Sequence, residues 1–170
     1  CDVPALPAGV TYVATAAGVE HTLALRSDGV LVAFGENGEA QCDVPVLPAG
    51  LAYVAISAGS AHSVALRSDG SAVSWGRWRS VRALPAGLQY VELDAGGNHT
   101  VARQSDQSVV AWGYNGSGQC GAQVPPAGVT LLALEAGVQF TLQLRSDGTL
   151  KHWGNCLDGE CNVPALPAGL

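Results

Sequence analysis

Short apolar runs alternate with polar turns along the whole of this 170-residue chain. "TYVATAAG" (11–18) and "AYVAISAG" (52–59) are rich in β-branched and small residues and close on Gly, the signature of short strands. "HTLALRSDGVLVAFG" (21–35) and "HSVALRSDGSAVSWG" (62–76) follow them. Each holds two apolar runs joined by Ser-Asp-Gly. This predicts a hairpin, because Asp tolerates the turn and Gly takes the positive φ. The segments between, such as "ENGEAQCDVPVLPAG" (36–50), are rich in Gly and Pro. They predict a loop with one short, irregular outer strand. No segment sustains helical periodicity.

The pattern is a repeat. Pro-Ala-Gly begins at Pro7, Pro48, Pro85, Pro126 and Pro167, at steps of 41, 37, 41 and 41 residues. An aromatic-Gly pair keeps step at Phe34, Trp75, Trp112 and Trp153, as do Ala-Gly at Ala17, Ala58, Ala95 and Ala136 and Ser-Asp at Ser27, Ser68, Ser105 and Ser146. The chain is read as one repeat domain, 1–170. Its repeats are approximately 1–41, 42–81, 82–119 and 120–160, with the start of a fifth at 161–170. The strands are apolar on both faces, which suits sheets packed face to face. An all-β ring of radially packed blades, a β-propeller, satisfies these features. A straight β-solenoid is the alternative, but its coils are shorter and have less use for a regular hairpin.

"AGSAHSVALRSDGSAVSWG" (58–76) and "WGYNGSGQ" (112–119) resemble the repeat of the regulator of chromosome condensation family, in its short bacterial form. The resemblance covers all four repeats. It implies a propeller of typically seven blades, which at this period needs about 290 residues. The two ends also duplicate each other, as "CDVPALPAGV" and "CNVPALPAGL". The expectation is a partial propeller, or one completed by a second copy of the chain. The resemblance offers three functional precedents: nucleotide exchange on a small GTPase, inhibition of a β-lactamase by a secreted bacterial member, and ultraviolet sensing through tryptophan clusters. The last needs a dense Trp/Arg cluster, and this chain has four tryptophans.

Composition narrows the classes. Apolar residues make up 48% and charged residues 13% of the chain, unlike a disordered tail. The apolar runs are too short and interrupted for a membrane helix, so no membrane partner is expected. A net charge of −6 disfavours nucleic acid as a partner. No signal peptide is visible, and the chain has no Met. Few lysines, no Met and the bacterial-type repeat lean towards a secreted or cell-surface protein. No cofactor motif is found: "GYNGSGQ" (113–119) leads into no helix that would hold phosphate.

His21, His62 and His99 share one repeat position, each followed by Ser or Thr, and Phe140 takes that place in the fourth repeat. A Ser/His/Asp hydrolase can be imagined from these residues. An active site is built once, however, so the expected role is a histidine hydrogen-bonded within each blade, with the Ser-Asp aspartates as turn formers. Cys1, Cys42, Cys120 and Cys161 also share one position and read as small buried hydrophobes. A lipid anchor on Cys1 is discounted because the repeat already accounts for that residue. Cys156 stands where other repeats have Asn37 and Asn115. Two free thiols are the plainest reading of Cys156 and Cys161, with a disulfide or a metal site with His152 as alternatives. Zinc prefers four ligands at tighter spacing, and Asp158 makes a poor fourth, so no metal is expected.

The repeat breaks at "GRWRSVR" (76–82). Four residues are missing there, the Cys among them, and Arg77, Trp78, Arg79 and Arg82 stand in place of Asn, Gly and Gln. The plain reading is a shortened loop covered by its Trp. The functional reading is a binding patch, since Trp and Arg dominate interaction hot spots and loops on rigid scaffolds carry recognition. The chain is therefore expected to be a non-enzymatic protein-interaction scaffold that binds a protein partner or self-associates through blade loops. A secreted enzyme inhibitor and a His/Ser hydrolase are the alternatives.

Overall fold

The computed structural model describes residues 3–121, 123–156, 159, 161 and 162. Cys1, Asp158 and all of the partial fifth repeat except Cys161 and Asn162 lie outside the described residues. Twelve strands run in order along them. They are β1 (Tyr12–Ala17), β2 (His21–Arg26), β3 (Leu31–Gly35), β4 (Tyr53–Ala58), β5 (His62–Arg67) and β6 (Ala72–Gly76). Then come β7 (Tyr90–Ala95), β8 (His99–Gln104), β9 (Val109–Gly113), β10 (Leu131–Ala136), β11 (Phe140–Arg145) and β12 (Leu150–Gly154). Each consecutive trio forms one antiparallel sheet, so the described residues form four three-stranded blades. Among the described residues there is no helix.

The Ser-Asp turns do what their chemistry predicts. Asp69, Asp106 and Asp147 each accept the amide two residues on, at 2.9 Å. Gly29, Gly70 and Gly148 take φ near +78° to +79°. The third turn puts Gln107 at φ 71° in the Gly position, a conformation that costs a side chain energy. Ser68 and Ser105 accept the amides of Ala52 and Gln89, tying each turn to the start of its inner strand.

The connectors between blades carry no strand among the described residues, contrary to the outer strand expected there. Prolines at 45 and 48 have no N–H to give a ladder. The loop amides go to side chains instead: Cys42 N donates to Asn37 Oδ1 at 2.7 Å and Cys120 N to Asn115 Oδ1 at 2.8 Å. The far half of the connector is pinned by a tyrosine. The hydroxyls of Tyr12, Tyr53 and Tyr90 donate to the carbonyls of Pro4, Pro45 and Arg82, each eight residues earlier.

The core lies between blades, not inside them. Leu23, Leu25 and Leu31 of the first blade meet Tyr53, Ala65 and Trp75 of the second. Val64 and Leu66 then meet Tyr90, Leu93, Ala102 and Trp112. Val101 and Val109 meet Leu131 and Leu134. Successive residues of a strand point to opposite faces, so a blade sandwiched by two others is apolar on both, as the sequence shows.

The inner strands pack in series, β1 on β4, β4 on β7 and β7 on β10. Each is a sheet edge with unpaired amides, and side chains of the preceding blade meet these. Ala95 N donates to Ser57 Oγ at 3.0 Å, and Ala136 N to Asp94 Oδ2 at 2.8 Å. The result is an arc of β-propeller blades.

Candidate functional site

The three histidines bridge blades. His21 Nε2 lies 2.9 Å from Ser63 Oγ, His62 Nε2 3.0 Å from Thr100 Oγ1, and His99 Nε2 2.9 Å from Thr141 Oγ1. The partner is always in the next blade, so the expectation of a bond within each blade is corrected. The ring reaches outward because the Ala-Gly turn leaves room for it: a Cβ on Gly18 would stand 2.5 Å from the His21 ring.

These pairs are poorly made for nucleophilic catalysis. Ser63 and Thr141 are fully buried, and their hydroxyls donate to the carbonyls of Gln41 and Gln119. Each proton already has an acceptor, so the imidazole Nε2 is the donor to the oxygen. The Nδ1 atoms of the three rings have no hydrogen-bond partner among the described residues, so no carboxylate orients them as a general base requires. Burial pushes His62 and His99 down to about 4 and lowers His21 as well. The rings are neutral struts.

The cysteines divide into two kinds. Cys42 and Cys120 are free and half-buried, with their thiols against the carbonyls of Glu36 and Tyr114. They are less buried than expected of core hydrophobes. Cys156 and Cys161 form a disulfide, in place of the two free thiols expected. The same two repeat positions hold the Asn37–Cys42 and Asn115–Cys120 hydrogen bonds, so the disulfide is a covalent version of the loop clasp. His152 Nδ1 lies 3.7 Å from Cys156 Sγ.

A concavity of about 290 Å³ opens at the inner rim, lined by the Ala-Gly turns of all four blades. It presents small side chains and backbone, with no titratable group in its lining.

The shortened connector is different in character. Trp78 is half-buried, and Arg77, Arg79 and Arg82 are exposed. The Arg77 guanidinium sits 5.7 Å from the Trp78 ring centre, within cation–π range. Trp78 Nε1 donates to Asn98 Oδ1 at 3.1 Å, and its ring lies 6.1 Å from that of Tyr114. Both partners belong to the next blade. Neither was evident from the sequence alone, although Tyr114 stands beside an Asn of the repeat as an aromatic where Glu36 and Asn155 occur elsewhere. Arg82 is placed apart. Its carbonyl is held by Tyr90 at the hairpin end of the sheet, whereas Gly76 pairs with His62 at the opposite end. Among the described residues the ion pairs are Arg26–Asp28 and Arg103–Glu92, so the arginines of the shortened connector face solvent without a carboxylate.

In the first connector the Gln41 carbonyl accepts Trp75 Nε1 at 2.8 Å. The second connector lacks that residue; Trp112 Nε1 has no partner among the described residues, and neither has Trp153 Nε1, whose connector keeps Gln119.

The regulator of chromosome condensation (RCC1) repeat model matches residues 12–41, 53–77 and 90–119, together half of the chain. No curated protein sequence matches the chain. Among solved structures, yeast RCC1 (Prp20) bound to Kap60 superposes with a TM-score of 0.76 at 20% identity, covering 90% of this chain and 45% of that one. A second structure of Prp20p from Saccharomyces cerevisiae, described with its binding to Gsp1p and histones, gives 0.75 at 21% identity, with 90% and 46% covered. The ectodomain of the receptor kinase CR4 from Physcomitrella patens gives 0.71 at 26%, with 91% and 44% covered. The chain spans a little under half the length of each of these proteins.

Proposed function

Because the chain belongs to the regulator of chromosome condensation (RCC1) repeat family, we propose that it is a non-enzymatic interaction scaffold, contacting a protein partner through the loop that carries Arg77, Trp78 and Arg79. Arg82 extends the contact towards the hairpin end. The observation that carries this reading is the cluster of exposed Arg77 over half-buried Trp78, with the exposed Tyr114 ring tilted against it, on a chain of net charge −6. An aromatic platform topped by an unpaired guanidinium suits an acidic segment of a protein. That RCC1 of yeast has been solved with a protein bound supports a protein as partner.

The test is a titration of the chain with a fluorescently labelled Glu-rich peptide, followed by anisotropy. Saturable binding that weakens with salt and is lost in Trp78→Ala and Arg77→Ala supports the reading. Binding unchanged by both substitutions, or no binding at all, sinks it.

A further inference from the structure

We infer that the clasp of the fourth repeat is also a metal site: once the Cys156–Cys161 disulfide is reduced, the two cysteines and His152 chelate a divalent cation of the zinc class. The site lies on the fourth blade and the segment that leaves it, whereas the Arg77–Trp78 loop joins the second blade to the third. The inference therefore stands apart from the peptide-binding reading.

Two departures from the repeat converge there. Strand register puts His152 opposite Leu142. The other blades place Ala33 opposite Leu23, Ser74 opposite Val64 and Ala111 opposite Val101, so a small side chain is the rule at this position. Cys156 stands where the first and third repeats have Asn37 and Asn115. One departure is on a strand and the other in the loop after it, and both meet the cysteine that the repeat itself supplies, Cys161. A disulfide accounts for Cys156 alone. It has no need of an imidazole, and His152 is the residue it leaves over.

The geometry suits chelation. A ring nitrogen of His152 and the sulfurs of Cys156 and Cys161 all lie within 4.8 Å of one another. Bonds of about 2.1 Å to nitrogen and about 2.3 Å to sulfur set the ligand atoms of a tetrahedral zinc roughly 3.5–3.8 Å apart. His152 Nδ1 and Cys156 Sγ already stand at 3.7 Å. The Cα atoms of the two cysteines are 5.6 Å apart, and rotation about either Cα–Cβ bond parts the freed sulfurs to the same spacing. Four residues separate the cysteines, the wide end of what zinc sites use. Two thiolates and an imidazole select zinc over the oxygen-seeking magnesium and calcium. Three protein ligands leave the fourth position to water, as in open zinc sites.

The switch between the two forms is a balanced exchange. A dithiol gives two electrons and two protons to the Cys156–Cys161 bond, which breaks to two thiols while the dithiol closes to its own disulfide. The cation then displaces one proton from each thiol and forms two metal–sulfur bonds. The loop does not need the covalent link to keep its shape, because the first and third repeats close the same clasp with a hydrogen bond from Cys42 N to Asn37 and from Cys120 N to Asn115. The fourth clasp is thus covalent when oxidised and coordinate when reduced and metal-loaded.

The experiment is an anaerobic titration with Co(II) of the chain reduced by dithiothreitol and then freed of it, read by sulfur-to-cobalt charge-transfer absorption, with Zn(II) added last. The inference expects one equivalent of Co(II) with a thiolate band, displacement by Zn(II), and no band in the oxidised chain. Zn(II) also raises the melting temperature of the reduced chain. Replacing Cys1, Cys42 and Cys120 together by Ser keeps the site, and Cys156→Ser removes it. His152→Ala weakens Zn(II) binding at least about tenfold while the oxidised chain still forms its disulfide. A reduced chain with native circular dichroism that takes up no Co(II) overturns the inference. So does a reduced chain that unfolds and is not restored by Zn(II). Affinity unchanged in His152→Ala overturns it too, and leaves the cysteines a plain thiol pair. The peptide titration above is run on the oxidised chain, so either reading can fail without the other.

Discussion

His62 Nε2 and Thr100 Oγ1 lie 3.0 Å apart across the boundary between the second and third blades. Both residues are at most 1% exposed. The hydroxyl of Ser63 one boundary earlier also donates to a backbone carbonyl, that of Gln41. The second connector lacks the residue equivalent to Gln41, so Thr100 depends on His62 in a way that Ser63 does not depend on His21.

Acid should loosen the arc before it protonates the carboxylates. His62 and His99 titrate near 4 in the folded chain, held down first by burial, against about 6.5 when unfolded. Between those values the unfolded state binds more protons, so stability falls as pH drops from about 6.5 to about 4. The expected slope is up to about 1.4 kcal/mol per pH unit for each histidine. Urea unfolding at pH 7 and pH 5 measures it, and equal midpoints at the two would contradict neutral buried imidazoles.

His62→Ala should destabilise the chain by about 2–4 kcal/mol, from the cavity and the stranded Thr100 hydroxyl. His21→Ala and His99→Ala should cost somewhat less, because Ser63 and Thr141 keep their carbonyl acceptors. His62→Phe should cost less than His62→Ala, because the fourth repeat already seats Phe140 against the equivalent turn. Thermal or urea unfolding ranks the variants. Selective loss of a hydrolytic activity in one of them would restore the catalytic reading.

Trp78→Ala should leave the thermal midpoint within a few degrees of the parent. The side chain is half-buried and makes one hydrogen bond, to Asn98, so its removal should cost about 1 kcal/mol. A fall of ten degrees or more would show that Trp78 serves mainly to plug the shortened connector.

The thiols should sort by reactivity. Burial raises Cys42 and Cys120 above the ordinary thiol range, with Asp43 and Glu36 adding to the effect at Cys42, so both should alkylate slowly at neutral pH. Cys156 and Cys161 should take up iodoacetamide only after reduction. Reduction should lower stability by about 2 kcal/mol, the loop-closure effect of so short a ring. Peptide mass spectrometry and a melting curve with and without reductant check both expectations.

Period, hairpins and turn residues are legible in this sequence because each is a local matter. Asp28 and Gly29 act within four residues of one another, and no distant partner is needed to read them. The histidine contacts are different. His21 and Ser63 are 42 residues apart, and the first three repeats carry the same His-Ser/Thr pair. A bond within the blade and a bond to the next are therefore written identically. The patch was legible as an anomaly but not as a geometry. The connector runs from one end of the sheet to the other, which separates Arg82 from Arg77 although five positions divide them. The Cys156–Cys161 link was half-legible. Both slots are visible in the repeat, but only the Asn37–Cys42 hydrogen bond shows that those slots touch.

The tyrosine struts divide the first and second connectors into two unequal freedoms. Tyr53 holds Pro45 and Tyr90 holds Arg82 at the same count of eight, although one connector is four residues shorter than the other. All of the difference is absorbed upstream of the strut, between the aromatic-Gly pair and the clamped carbonyl. That stretch is a port where sequence can be added or removed without moving the blades on either side. Foreign loops grafted between Arg79 and Arg82 should be carried on the same frame, and natural variants of this chain should diversify there first.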